Sequence, residues 1–262
     1  MLGVAIVGCG MIARFHARAL AEVPDTRLVA LVGRTAANAA KMVDELRVSC
    51  DIATDLAGVL RRRDVDIVIV TTPSGAHVEP ALAAAQRALA LNDSYHWGHI
   101  NLGYISLYQQ QYDQALAEMK RAVALAPTEA DSHAALAVVL SYMGGTEDAL
   151  EVAAQALRLK PFMVDAHLDN VGAAYYLAGK PEEAIAPLKQ YLARYPNILG
   201  AHVTLAVVYS ELGKEAEARA EVAEVLRLNP KFSLEVHKQR APIKDPAVLE
   251  RHIAALHKAG LK

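Results

Sequence analysis

Gly8, Gly10 and Ala13 follow a short apolar run, residues 3–7, and open the helical pattern RFHARALAEV. Residues of these types at this spacing can hold an anion. Gly8 permits a sharp turn, Gly10 lets the backbone approach a pyrophosphate, and Ala13 permits close packing of helix on strand. The helix N-terminus that follows offers unpaired N–H groups to the negative charge. The glycine pattern alone is weak, and the strand before it and the helix after it are what raise it to a nucleotide-binding reading. A glycine turn that joins strand to helix and binds nothing is the alternative.

The elements that must position this loop follow in order. Residues 27–32 read as a second strand, ending in Gly33-Arg34-Thr35. A carboxylate at that point would bond the ribose of NAD, whereas a nearby arginine suits the 2′-phosphate of NADP. Arg34 without a carboxylate therefore favours NADP over NAD, although it could also be a solvated residue opening the next helix. A helix over 36–46, a short strand near 48–52 and a helix over 54–63 come next. The β-branched run at 66–70 is a strand buried on both faces.

The stretches VAIVGCGMIARFHARAL, VALVGRT and DLAGVLRRRDVDIVIVTTPSGAHVEPALAAA resemble the start of the Gfo/Idh/MocA family of NAD(P)-dependent sugar and polyol oxidoreductases. The likeness covers about residues 3–86. It implies that Gly8, Gly10, Met11, Ile12, Arg34, Thr72, Pro73 and His77 line a cofactor site. In the family a Glu-Lys-Pro motif with a catalytic lysine and a large substrate domain come next. Here Gln86 is followed by Arg87-Ala88-Leu89-Ala90-Leu91-Asn92, and no Glu-Lys-Pro occurs after it. His77 could titrate near neutral pH, but without a positioned partner it reads as a structural or cofactor-contacting residue. No catalytic residue is assigned, and an active dehydrogenase is not expected.

From residue 81 onward a different period takes over. Ala81, Ala115, Ala149, Ala184 and Ala218 recur at separations of 34, 34, 35 and 34, as do Asp93, Pro127, Pro161, Pro196 and Pro230. Gly144, Gly179 and Gly213 mark turns between paired helices. This pattern resembles the tetratricopeptide repeat (TPR), a 34-residue helical hairpin, with units at about 96–129, 130–163, 165–198 and 199–232. Small residues such as Gly103 and Gly172 let the paired helices approach, and the prolines stop each second helix. The closing segment, with a helix opening at Asp245-Pro246, reads as a solvating cap. Residues 75–91 continue the nucleotide-binding sequence and also fill the place of a repeat's second helix, so one rigid helix is expected to serve both parts.

Counted by repeat register, the groove face carries Trp97, Ile100, Tyr104 and Tyr108, then Ala134, Val138 and Tyr142, then Asp169, Ala173 and Tyr176, then Val203 and Val207. It is apolar and rich in tyrosine and lacks the Lys/Asn/Arg set of carboxylate clamps, so an apolar helix or extended peptide is the expected ligand. Packing of these side chains against one another or the cap is the alternative. His99, His133 and His202 recur at one repeat position, too far apart to share a metal at about 2 Å. They read as inter-helix contacts, and no metal site is expected.

Charge is nearly balanced, 27 Lys+Arg against 29 Asp+Glu, which gives no footprint for nucleic acid. No apolar run reaches the roughly 20 residues of a membrane span. Two cysteines, Cys9 and Cys50, make no disulfide framework and fit a reducing cytoplasm. The expected fold is α/β plus all-α, a partial Rossmann-like parallel sheet fused through a shared helix to a TPR α-solenoid. Its parts are a dinucleotide-binding portion (1–75), the junction helix (76–94), the repeats (95–232) and a capping segment (233–262). The expected function is a protein-interaction scaffold carrying a truncated, vestigial or sensory NAD(P)-binding half domain. The alternatives are an NADP-dependent oxidoreductase completed by another chain and a natural or engineered recombinant without selected activity. Strand 67–71 should be a sheet edge, through which a homodimer could form unless the solenoid covers it.

Overall fold

The computed structural model describes residues 1–73, 76–159 and 168–262. It divides into two compact units, Met1–Asp93 and Ser94–Lys262.

The first unit runs β1 (Leu2–Val7), α1 (Met11–Leu20), β2 (Thr26–Val32), α2 (Ala36–Leu46), β3 (Asp51–Ala53), α3 (Leu56–Leu60), β4 (Ile67–Val70) and α4 (Val78–Leu91). Its four strands are all parallel, in the order β3-β2-β1-β4. The continuous Val/Ile/Leu/Ala content of β1 and β2 suits strands buried on both sides. Alternate residues supply two cores. Ile6 and Leu31 meet Ala13, Ala17, Ala39 and Met42 of α1 and α2. Ala5, Val7, Ala30 and Val32 meet Val59 of α3 on the opposite face.

Two elements differ from the sequence-based expectation. α3 is shorter, because the Asp55 carboxylate accepts from the N–H groups of Ala57 and Gly58 and fixes its start. Beyond its end Arg62 pairs with Asp64 at 2.7 Å and Asp51 at 2.8 Å. β3 begins later than residue 48, since Arg47 ends α2 in the left-handed conformation. α4 belongs to the first unit, where Arg87 Nε donates to the Leu60 carbonyl at 3.0 Å and Ala85 is buried. Ser74 and Gly75, at the expected start of that helix, lie outside the described residues.

The second unit consists of helical pairs: α5 (His96–Tyr108) with α6 (Tyr112–Leu125), α7 (Ala130–Tyr142) with α8 (Thr146–Leu159), α9 (Leu168–Leu177) with α10 (Pro181–Arg194), and α11 (Leu199–Glu211) with α12 (Glu215–Leu228). These pairs fall on the expected repeat. Gly144, Gly179 and Gly213 take positive φ of 88°, 74° and 70° in the turns, a conformation that disfavours a Cβ. Gln110 holds the same turn in the first pair at φ 59°. Pro161 lies outside the described residues. The closing segment forms two helices, α13 (Leu234–Arg240) and α14 (Pro246–Ala259), where the sequence suggested one. No helix among the described residues is long and apolar enough to cross a membrane.

Candidate nucleotide cleft and repeat groove

The carboxyl ends of β1 and β4 meet where the strand order reverses, the place where open α/β sheets hold ligands. The Thr71 hydroxyl donates to the Val7 carbonyl at 2.9 Å, and the Gly8 N–H donates to the Val32 carbonyl at 2.8 Å. Gly8 turns the chain at φ 113°, and a Cβ there would lie 2.8 Å from the Thr71 hydroxyl. Glycine is required at that position. Gly10 is different. Its φ of −79° and ψ of −170° are open to any residue, and a Cβ would meet nothing within 4 Å. Neither backbone nor packing asks for glycine here, and what it leaves is open space at the uncapped N-terminus of α1.

That space is part of a cleft of 1360 Å³. All eight residues named from the sequence, Gly8, Gly10, Met11, Ile12, Arg34, Thr72, Pro73 and His77, line it. Met11 is 80% exposed at the first turn of α1. His77 has a partner after all: its Nδ1 lies 2.9 Å from the Thr72 hydroxyl, which donates to the Ala76 carbonyl at 2.8 Å. With the hydroxyl proton so used, Nδ1 is the donor of that pair.

The cleft also gathers residues that sequence reasoning missed. Arg14 Nη1 donates to the carbonyls of Cys9 and Gly10, at 2.5 and 3.1 Å, while Nη2 pairs with Glu45 at 2.8 Å. It thereby pins the glycine loop to α2. Asn38 and Lys41 of α2 line the cleft beside Arg34. The signal available in the sequence was that Asn38 and Lys41 lie one turn of helix apart in the helix that follows Arg34. Burial pushes the Cys9 thiol up, partly offset by the Arg14 cation, so it lines the cleft as a neutral thiol. The residues present fit a dinucleotide: a glycine loop and helix N-terminus for the pyrophosphate, and a basic, carboxylate-free end of β2 for the ribose.

In the second unit the residues expected to line the groove separate. Ile100 and Val138 pack inward in the core of the first two hairpins. Trp97 and Tyr104 are half-buried, and the Tyr104 hydroxyl accepts from Asn170 Nδ2 at 2.8 Å. Tyr108 is 62% exposed. Tyr142 and Val203 line a 210 Å³ cavity with His237, Arg240, Ala241, Pro242, Ile243 and His252, and Tyr176 bonds to His252. The recurring histidines bond within or beside their hairpins: His99 to Glu118 at 2.7 Å, His202 to Glu221 at 2.6 Å, and His133 to the Pro127 carbonyl at 2.9 Å.

Residues 2–91 match the model of the oxidoreductase family GFO_IDH_MocA with an NAD-binding Rossmann fold. Residues 96–129 and 175–241 match tetratricopeptide repeat models. A 2,7-anhydro-N-acetylneuraminate hydratase of Mediterraneibacter gnavus is 36% identical over 88 residues, 34% of this chain and 22% of that protein. The chain thus spans under a quarter of that relative's length. Among solved structures, a thermophilic TPR protein of Thermus thermophilus is similar at a TM-score of 0.52 and 26% identity, over 70% of this chain and 93% of that one. A myo-inositol dehydrogenase of Lactobacillus casei, solved with NAD(H) and myo-inositol, matches 33% of this chain and 26% of its own at a TM-score of 0.32 and 24% identity. The chain therefore carries a Gfo/Idh/MocA-type NAD-binding domain at residues 2–91 and tetratricopeptide repeats between residues 96 and 241.

Proposed function

We propose that this chain is a cytoplasmic scaffold whose repeats bind an extended or helical apolar peptide, and whose NAD-binding domain holds NADP as a signal rather than as a hydride carrier. The observation that carries the nucleotide half is the open space at Gly10, which no demand of the fold explains. The preference for NADP rests on Arg34, with Lys41 and Asn38 beside it in the cleft and no carboxylate at Gly33-Arg34-Thr35. A guanidinium can hold a phosphate through paired charge-assisted bonds. The sensory role rests on the lack of a Glu-Lys-Pro motif in the chain. Fluorescence titration with NADPH and NADH tests the preference. The expected result is tighter binding of NADPH, lost about 10- to 100-fold in Arg34→Ala, with NADH unaffected. Equal affinities for the two would overturn the assignment to NADP.

A second reading is favoured by the edge of the sheet. β4 pairs with β1 alone among the described strands, and Ile67 is 39% exposed. Such an edge accepts a further strand, supplied by a second copy or by a chain that brings the missing lysine and substrate domain. Light scattering of the purified chain distinguishes these, because a monomer that stays catalytically silent would leave only the second supplier.

A further inference from the structure

A helix that merely solvates the end of a repeat array need touch only the last hairpin. Residues 234–262 reach further. α14 packs along α11 and α12, and Arg251 pairs with Glu211 of α11 at 3.1 Å. The Tyr176 hydroxyl of α9 lies 3.1 Å from His252 Nδ1. The Lys244 N–H donates to the Tyr142 carbonyl, at the end of α7, at 2.9 Å. The first helices of three successive hairpins are thus bonded to one segment. Ala241 and Ile243, each 7% exposed, enter the same core as Val203 and Val207. The run Ala241-Pro242-Ile243-Lys244 lies against these helices as an extended ligand would, and the Lys244 ammonium sits 5.5 Å from the Tyr112 ring centroid, within cation–π range.

A histidine pair joins α13 to α14 within this segment, beside the Lys238–Glu250 ion pair at 2.6 Å, and His252 is its member bonded to the repeats, through Tyr176. His237 Nε2 lies 3.0 Å from His252 Nε2, with the rings stacked at 5.3 Å. One nitrogen must donate and the other accept, so the contact fails when both rings are charged. Tyr176 of α9 and Arg251 of α14 face His252, and Arg240 of α13 lines the adjoining cavity with both imidazoles, Tyr108 and Tyr142. Among the described residues Glu211 is already paired with Arg251 and Glu250 with Lys238, so neither carboxylate stands free to balance new positive charge. Burial holds both imidazoles below their usual value, His252 down to about 3.

The geometry points to a plug: residues 234–262 close the repeat groove at neutral pH, held by His252 buried against Tyr176 and stacked on His237, and acidification releases them. This rests on reading the groove as a peptide site and concerns its regulation. Released imidazoles charge near about 6.5, so each pH unit below that favours the open form by up to about tenfold per histidine.

Hydrogen exchange of the full chain at pH 7.5 and 5.0, corrected for intrinsic rates, tests it. The expected result is that 234–262 lose at least about tenfold more protection than α5–α8. The His237→Phe/His252→Phe variant, with two stacked rings that cannot charge, should stay closed at pH 5.0. Protection of 234–262 retained at pH 5.0 in the wild type, or equal loss in the variant, overturns the plug. If the variant does not fold, an NMR titration of the wild-type imidazoles decides, since protonation without release of α14 overturns it equally. A synthetic peptide of residues 238–249 separates the two readings. Release without binding of that peptide at pH 5.0 leaves the plug standing and overturns the groove as a peptide site.

Discussion

A Cβ on Gly172 would lie 2.4 Å from Leu188 Cγ. α9 and α10 therefore touch through bare backbone, with the branched end of Leu188 seated where a side chain would be. Gly172→Ala should lower stability by about 1–3 kcal/mol through overpacking. Gly200→Ala, in the first turn of α11, where a Cβ meets nothing within 4 Å, should be neutral or gain up to about 1 kcal/mol. Urea denaturation of both variants makes the comparison, and equal effects would mean that α9 and α10 can part without loss.

Gln110 occupies the turn that glycine holds in the other three hairpins, at φ 59°. An L-residue in that conformation is disfavoured by about 1–2 kcal/mol, while glycine gives part of this back through the greater freedom of the unfolded chain. Gln110→Gly should raise stability by about 0.5–1 kcal/mol. A lower melting temperature would show that the Gln110 side chain contributes something its backbone conformation conceals.

Asp169 sits in the first turn of α9, and burial raises its carboxyl to about 6. The folded value lies above the unfolded one, so the ionised form is disfavoured in the native state. That penalty is present in full above about pH 6 and is relieved as pH falls toward 4. Asp169→Asn should therefore stabilise the chain at pH 7 by about 1–3 kcal/mol, with the difference gone by pH 4. Thermal melts across that window check the sign, and a variant no more stable at pH 7 would mean that a partner compensates the charge.

The repeat was legible because each hairpin imposes the same steric demand at the same place. Gly144, Gly179 and Gly213 show it in the turns, and Gly103 and Gly172 show it between helices. The cleft was legible at Gly8, where the backbone turns tightly against Thr71, and at Gly10, where a Cβ would stand in open space. Arg14 was not, because its work depends on Glu45, distant in sequence and brought near by the parallel sheet. The placement of the closing segment was still less visible. Periodicity finds α14, but the bonds from Lys244 to Tyr142 and from His252 to Tyr176 join residues 102 and 76 positions apart, and no local pattern encodes such pairs. The same holds for His77, whose partner Thr72 is set by a turn rather than by a helix or strand period.

Calorimetric titration with NADPH, with Gly10→Leu as the control, decides whether the cleft at Gly10 binds a nicotinamide dinucleotide. The ordinary backbone of Gly10 and the empty space beside it mean that the variant should fold and melt like the wild type. Binding at about micromolar affinity, roughly −8 kcal/mol, is expected in the wild type and none in the variant. Absence of heat with NADPH and NADH alike, or equal heat from the variant, would contradict it.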